Sequence, residues 1–131
     1  MKRFLTLLVF IISTQLVYAE ECNLNPQKGS KNYIIGYGSL MDKESRTRTN
    51  KSALVVKPIL IKGFERTWGH NGGMYKITFL TIFKKEEAFL NAVYYPVSIK
   101  DLNKTDRRES GYCRLKIQEK NLIFYGEKIK T

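Results

Sequence analysis

Two stretches of the 131-residue chain carry side chains suited to chemistry. In "LNKTDRRESGY", Asp106 and Glu109 lie three residues apart, so a helix would place both carboxylates on one face. Carboxylates among arginines ordinarily form a solvated ion-pair cluster. Proton transfer needs one of them drawn out of bulk water and aimed at a ligand. Glu109 is that candidate, because it stands where the helical run meets Gly111 and Tyr112. Arg108 and Arg114 flank it, suited either to fixing a carboxylate or to serving the surface.

The other stretch is "YIIGYGSLMD", Tyr33 to Asp42. An apolar run stops at Gly36 and Gly38, which flank Tyr37, and Ser39 and Leu40 follow. A dinucleotide loop needs a third glycine, then a long helix and a distant acid. Met41 stands where that glycine belongs, and the following segment is short and polar. A phosphate loop of the other common kind needs a lysine that is absent here. The nucleotide reading therefore falls. Two readings remain: a tight strand-to-helix turn, or a glycine-lined cradle whose N–H groups hold an anion such as a carboxylate. No metal set is legible, since Cys22, Cys113 and the single His70 match no ligand spacing.

Elements must position these stretches. "YIIGY" reads as a short buried strand. "SLMDKESRTRT" reads as a helix or helical turn, with Ser39 as cap and Asp42 as its capping-box partner. "ALVVKPILIKGFERTW" is extended and interrupted at Pro58, "GHNGG" (69–73) is a turn, and "MYKITFLTIFKK" is a strand. "KKEEA" suits another turn, followed by the strand "FLNAVYYPV". "SIKDLNKTDRRES" changes period: Ser98 and Asp101 form a second capping box, and the helix runs toward Glu109 and stops near Gly111. "YCRLKIQ" and "LIFYG" read as strands around an "EKN" turn. The sum is α+β, strand-dominated, with two short helices.

Residues 1–19 read as a signal peptide: Lys2 and Arg3, a short apolar core, then Val17 and Ala19 at the cleavage positions. The apolar run is short for a membrane span, so no membrane association is expected after cleavage. Residues 20–32 read as a flexible lead-in and 33–131 as a single domain. An exported chain meets an oxidising compartment, which permits Cys22 and Cys113 to pair or to stay apart. Nearly all of the +11 net charge stays with the exported part, and it favours anionic partners without choosing one. The basic residues are scattered, so nucleic acid is not the expected partner. The sequence carries no signal for oligomeric state.

Taken in order, the two stretches resemble the γ-glutamylcyclotransferase superfamily, including its ChaC-like and AIG2-like branches. Tyr37, Gly38, Ser39 and Leu40 match that family's Y-G-S-[LN] loop after the first strand. Asp106, Arg108, Glu109 and Tyr112 match its acid segment, and "GFERTW" and "FLNAVYYPV" resemble its middle strands. The likeness covers roughly residues 33 to 120. It implies a small mixed β-barrel with flanking short helices. It also implies conversion of a γ-glutamyl amide or peptide to 5-oxoproline and a free amine, with no cofactor and no metal. Glu109 would be the catalytic acid/base, and Gly36, Tyr37, Gly38, Ser39, Leu40 and Tyr112 would bind the γ-glutamyl small molecule. Two other classes stand beside it: a non-catalytic exported binding module on the same fold, and a basic secreted protein acting on an anionic surface.

Overall fold

The computed structural model describes residues 22–26, 28–71 and 78–125. The expected signal peptide lies outside them, as do residues 72 and 73 of the expected "GHNGG" turn. Four strands, β1 (Asn32–Gly36), β2 (Lys57–Asn71), β3 (Thr78–Val97) and β4 (Leu122–Phe124), form one antiparallel sheet in the order β1-β3-β2-β4. Two helices, α1 (Lys43–Thr49) and α2 (Ile99–Arg108), accompany it. The α+β class holds.

The expected barrel is not closed among the described residues: β1 and β4 are both edges. The reason lies in "YCRLKIQ", expected as a strand. Cys113 is bonded to Cys22 with the Cα atoms 5.0 Å apart. Beside it the backbone of Arg114 is taken by Asn23, whose N–H donates to the Arg114 carbonyl at 3.0 Å. The Asn23 side-chain oxygen accepts from the Arg114 N–H at 3.1 Å. Polar groups spent on this clasp do not join a ladder, and the segment runs irregular to Gln118.

Strand alternation divides the core in two. Ile59 and Ile61 of β2 meet Leu90, Ala92 and Tyr94 of β3 on one face. Tyr94 makes edge-to-face contacts with Tyr33 of β1 and Phe124 of β4, at ring separations of 6.0 and 5.6 Å. On the other face Ile34, Tyr95 and Val97 pack with Ala53 and with Leu102 of α2. That second face holds α2 in place.

"KKEEA" is no turn. It lies inside β3 at a break in register, where Lys62 pairs with Phe89 but Phe64 pairs with Lys84. The extra β3 residues bulge outward and stay mostly exposed, which suits their charge. Gly63 stands opposite at φ +92°, a left-handed conformation that side chains disfavour. Gly69 and His70, expected in a turn, continue β2 instead. Beyond the bulge the two strands project as a ribbon on which Trp68 is 70% exposed. No helix among the described residues is long and apolar enough to cross a membrane. The disulfide is compatible with an oxidising, exported environment.

Candidate functional site

β1 delivers Gly36 into the loop. A Cβ there would sit 2.6 Å from the Cβ of Leu40, so the chain doubles back too tightly for any other residue. Gly38 differs: a Cβ would meet nothing within 4 Å. The first glycine closes the loop and the second leaves its outer surface bare. A single 3-10 turn, Ser39–Met41, follows, closed by Met41 N–H donating to the Gly38 carbonyl at 2.9 Å. Ser39 is not the cap of α1. Asp42 is, and it accepts from the Ser45 N–H at 2.8 Å, which frees the Ser39 hydroxyl for another partner.

A buried arginine fixes the loop from behind. Arg46 is 4% exposed and donates to three carbonyls: Ala53 at 2.7 Å, Met41 at 2.9 Å and Leu54 at 3.2 Å. Each bond ties the loop to the turn before β2. A buried guanidinium satisfied by backbone carbonyls is costly to remove, because those acceptors would be left unpaired.

α2 brings the acid. Ser98 caps it as the sequence predicts, with Oγ accepting from the Asp101 N–H at 3.1 Å. Leu102 and Thr105 are buried toward the sheet. Glu109 is the C-cap: its N–H donates to the Thr105 carbonyl at 2.8 Å and its carbonyl accepts from the Tyr112 N–H at 2.8 Å. That last bond turns the chain so that Tyr112 follows the acid inward. The Tyr112 hydroxyl donates to the Leu80 carbonyl at 2.8 Å, fastening the turn to β3.

Arg108 joins acid and loop. Its Nε lies 3.1 Å from Oε1 of Glu109. Its Nη2 donates to the Ser39 hydroxyl at 3.1 Å and the Ser45 hydroxyl at 2.6 Å, and its Nη1 to the Ser45 carbonyl at 2.5 Å and Thr49 Oγ1 at 3.1 Å. Residues seventy positions apart in sequence thus meet at one guanidinium.

The charge of Glu109 reaches three tyrosines, Tyr37 against the first core and Tyr95 in the second, with Tyr112 just after the acid. Burial raises the Tyr37 phenol above its ordinary pKa, and neighbouring Tyr112 and Glu109 raise it further; its hydrogen bond with Thr81 and the charge of Arg66 work the other way. Burial also raises Tyr112, with Glu109 adding to it. Tyr95 is pushed up to about 12, first by burial, with Arg46 and Arg108 opposing and Glu109 reinforcing. The charge of Glu109 is felt at all three rings. A half-buried carboxylate with a serine hydroxyl held one guanidinium away can exchange protons with a small ligand and hydrogen-bond it.

Among the residues singled out from sequence, Tyr37, Ser39, Arg108, Glu109 and Tyr112 are gathered here. Leu40 packs beneath, against the second core. Asp106 is elsewhere, in a two-pronged pair with Arg114 at 2.8 and 3.0 Å. Tyr95 and Arg46 were missed. The only signal for Tyr95 is the period-two rule, by which Tyr94 and Tyr95 point to opposite faces; it does not say which face holds a site. Among the described residues no three of His, Cys, Asp and Glu gather as a metal group. No family model matches this chain, and neither does any curated protein or solved structure.

Proposed function

We propose that this protein is a γ-glutamylcyclotransferase-like enzyme that converts a γ-glutamyl amide or peptide to 5-oxoproline and a free amine. The observation that carries this reading is the meeting of Glu109 with the Tyr37–Ser39 loop through Arg108, at 3.1 Å on each side. The two stretches that resemble the family's motifs thus share one site.

The chemistry follows from the substrate. Its own α-amine attacks its γ-carbonyl, and holding the two ends together makes ring closure effectively unimolecular. A new C–N bond forms within the ring while the original amide C–N bond breaks. Glu109 takes a proton from the α-ammonium and delivers one to the departing nitrogen; the ring nitrogen sheds its second proton as the intermediate collapses and the freed amine takes one up, so no cofactor or net proton is consumed. The α-carboxylate rests on the loop: the first N–H groups of a helical turn have no acceptor within it, and bare Gly38 lets the ligand approach. Tyr37 and Tyr112 are the aromatic side chains assigned to contact the substrate.

The test is release of 5-oxoproline by the purified protein from γ-glutamyl dipeptides, γ-glutamyl amines and glutathione. Release from at least one, lost in Glu109→Gln, is the expected result. An inert wild-type protein across the panel overturns the reading.

A further inference from the structure

An open groove of about 580 Å³ runs between α1 and α2, with Arg108 in its lining. Arg48, Lys51, Lys104, Arg107 and Arg108 line it, with Asp101 as the one acid. Asp101 is already held, by Lys104 at 3.0 Å and by the cap with Ser98. Lys104 is balanced by Asp101 and Arg108 by Glu109; Arg48, Lys51 and Arg107 add further positive charge, and an anion placed among them is attracted.

We propose that this groove is an anion subsite that takes the departing half of the substrate. The preferred γ-glutamyl compounds are then peptides whose amine half carries carboxylates. The assignment of the departing half rests on the cyclotransferase reading; the anion site does not. Arg108 belongs to both places, lining the groove while its Nε holds Glu109. A helix rises about 1.5 Å per residue, so Lys104 lies about 6 Å along α2 from Arg108. An extended peptide spans about 3.4 Å per residue. A departing dipeptide that leaves Glu109 therefore sets its carboxylates among Lys104, Arg107 and Lys51. The cations are spread over α2 and the end of α1 rather than carried by one short turn, which fits an extended polycarboxylate better than a single phosphate. The volume lies within the range of small-ligand pockets, about 300–1,000 Å³.

Binding and turnover are measured on the same full-length preparation. In titration calorimetry the dipeptide Glu-Glu, which has no γ-glutamyl bond to cleave, binds wild type, weakens as salt rises and is not matched by Lys-Lys. Lys51→Glu/Arg107→Glu lowers that affinity at least about tenfold, and Lys51→Gln/Arg107→Gln falls between, each with a cooperative thermal melt. In turnover, wild type favours γ-glutamyl-Glu-Glu over γ-glutamyl-Lys-Lys, and the charge-reversed variant inverts the preference through KM. Failure of Glu-Glu to bind, or equal binding by the reversed variant, overturns the proposal, since the bases are then a plain solvated surface. Inorganic phosphate that binds more tightly and displaces Glu-Glu also overturns it. A protein that binds Glu-Glu in the groove yet cleaves no γ-glutamyl compound sinks the cyclotransferase reading and leaves the anion site standing.

Discussion

The last turn of α2 carries two carboxylates with opposite fates. Asp106 and Glu109 are almost equally exposed, at 24% and 27%, and each has an arginine partner. Burial therefore does not separate them; the neighbourhood does. Asp106 faces Arg114 on the side of the disulfide, where both its oxygens are bonded and the same arginine donates to the Leu24 carbonyl at 3.0 Å. That side is a clasp, with its bonding capacity used. Glu109 is joined to the loop through Arg108, whose Nε meets one of its oxygens, and its charge is felt at three tyrosines. A helical spacing of three, close enough to suggest one shared face, can still set two carboxylates in different neighbourhoods at a helix end. Glu109 is the C-cap, at φ −93° and ψ 33°, outside the regular helix. Its side chain is set by the turn to Tyr112.

The sharpest way to break that contrast is Glu109→Gln. General acid/base catalysis contributes about 10²–10⁴-fold, so 5-oxoproline release falls by that much. The melting curve barely moves, because a partly exposed ion pair is worth about 0–1 kcal/mol. A Gln variant with near wild-type turnover ends the distinction.

On the clasp side the largest effect comes from Cys22→Ser. The bridge closes 91 residues of chain, so its loss lowers unfolding free energy by about 2–4 kcal/mol in chemical denaturation. Residual turnover at low temperature is retained, since Tyr112, the neighbour of Cys113, is fastened separately to the Leu80 carbonyl.

Next in size is an alkaline effect confined to the Glu109 side. Folded Tyr95 keeps its proton to about pH 12, whereas an unfolded tyrosine loses it near 10. Between those values the unfolded chain binds fewer protons, so stability falls as pH rises. The contribution is complete below about pH 10 and lost through about 12, amounting to about 2–3 kcal/mol. The difference between wild-type and Tyr95→Phe stability curves over that window isolates it. Parallel curves would show that the buried phenol does not titrate as stated.

The smallest effect belongs to Asp106→Asn. Its pair with Arg114 is two-pronged but partly exposed, so about 1 kcal/mol is expected, read as a shifted denaturation midpoint. Turnover per folded molecule stays close to wild type. A collapse of turnover there, without unfolding, would place Asp106 in the site after all.

Much of the site was legible locally. The Gly36–Leu40 loop, the Ser98 cap and the helix ending at Glu109 are all written in short-range patterns, and the structure places each where those patterns put it. Besides the unclosed barrel and the "GHNGG" turn whose first residues continue β2, three readings failed for tertiary reasons. Asp42 rather than Ser39 caps α1, because one 3-10 turn intervenes and shifts the helix start. "KKEEA" bulges inside a single long strand, since its partner β2 continues past it. "YCRLKIQ" is irregular because Asn23 and Cys22, some ninety residues earlier, claim its backbone and its cysteine.

By itself the sequence determined residue types and local geometry: a glycine turn after a strand, an acid at a helix end, and cysteines free to pair or not. These depend on neighbours within a few positions, which periodicity and capping report. Tertiary structure alone decided which carboxylate meets the loop, that Arg108 is the joint, and that Tyr95 rather than Tyr94 faces the acid. Those facts depend on sheet order and on which side of β3 receives α2, and no short-range pattern encodes either.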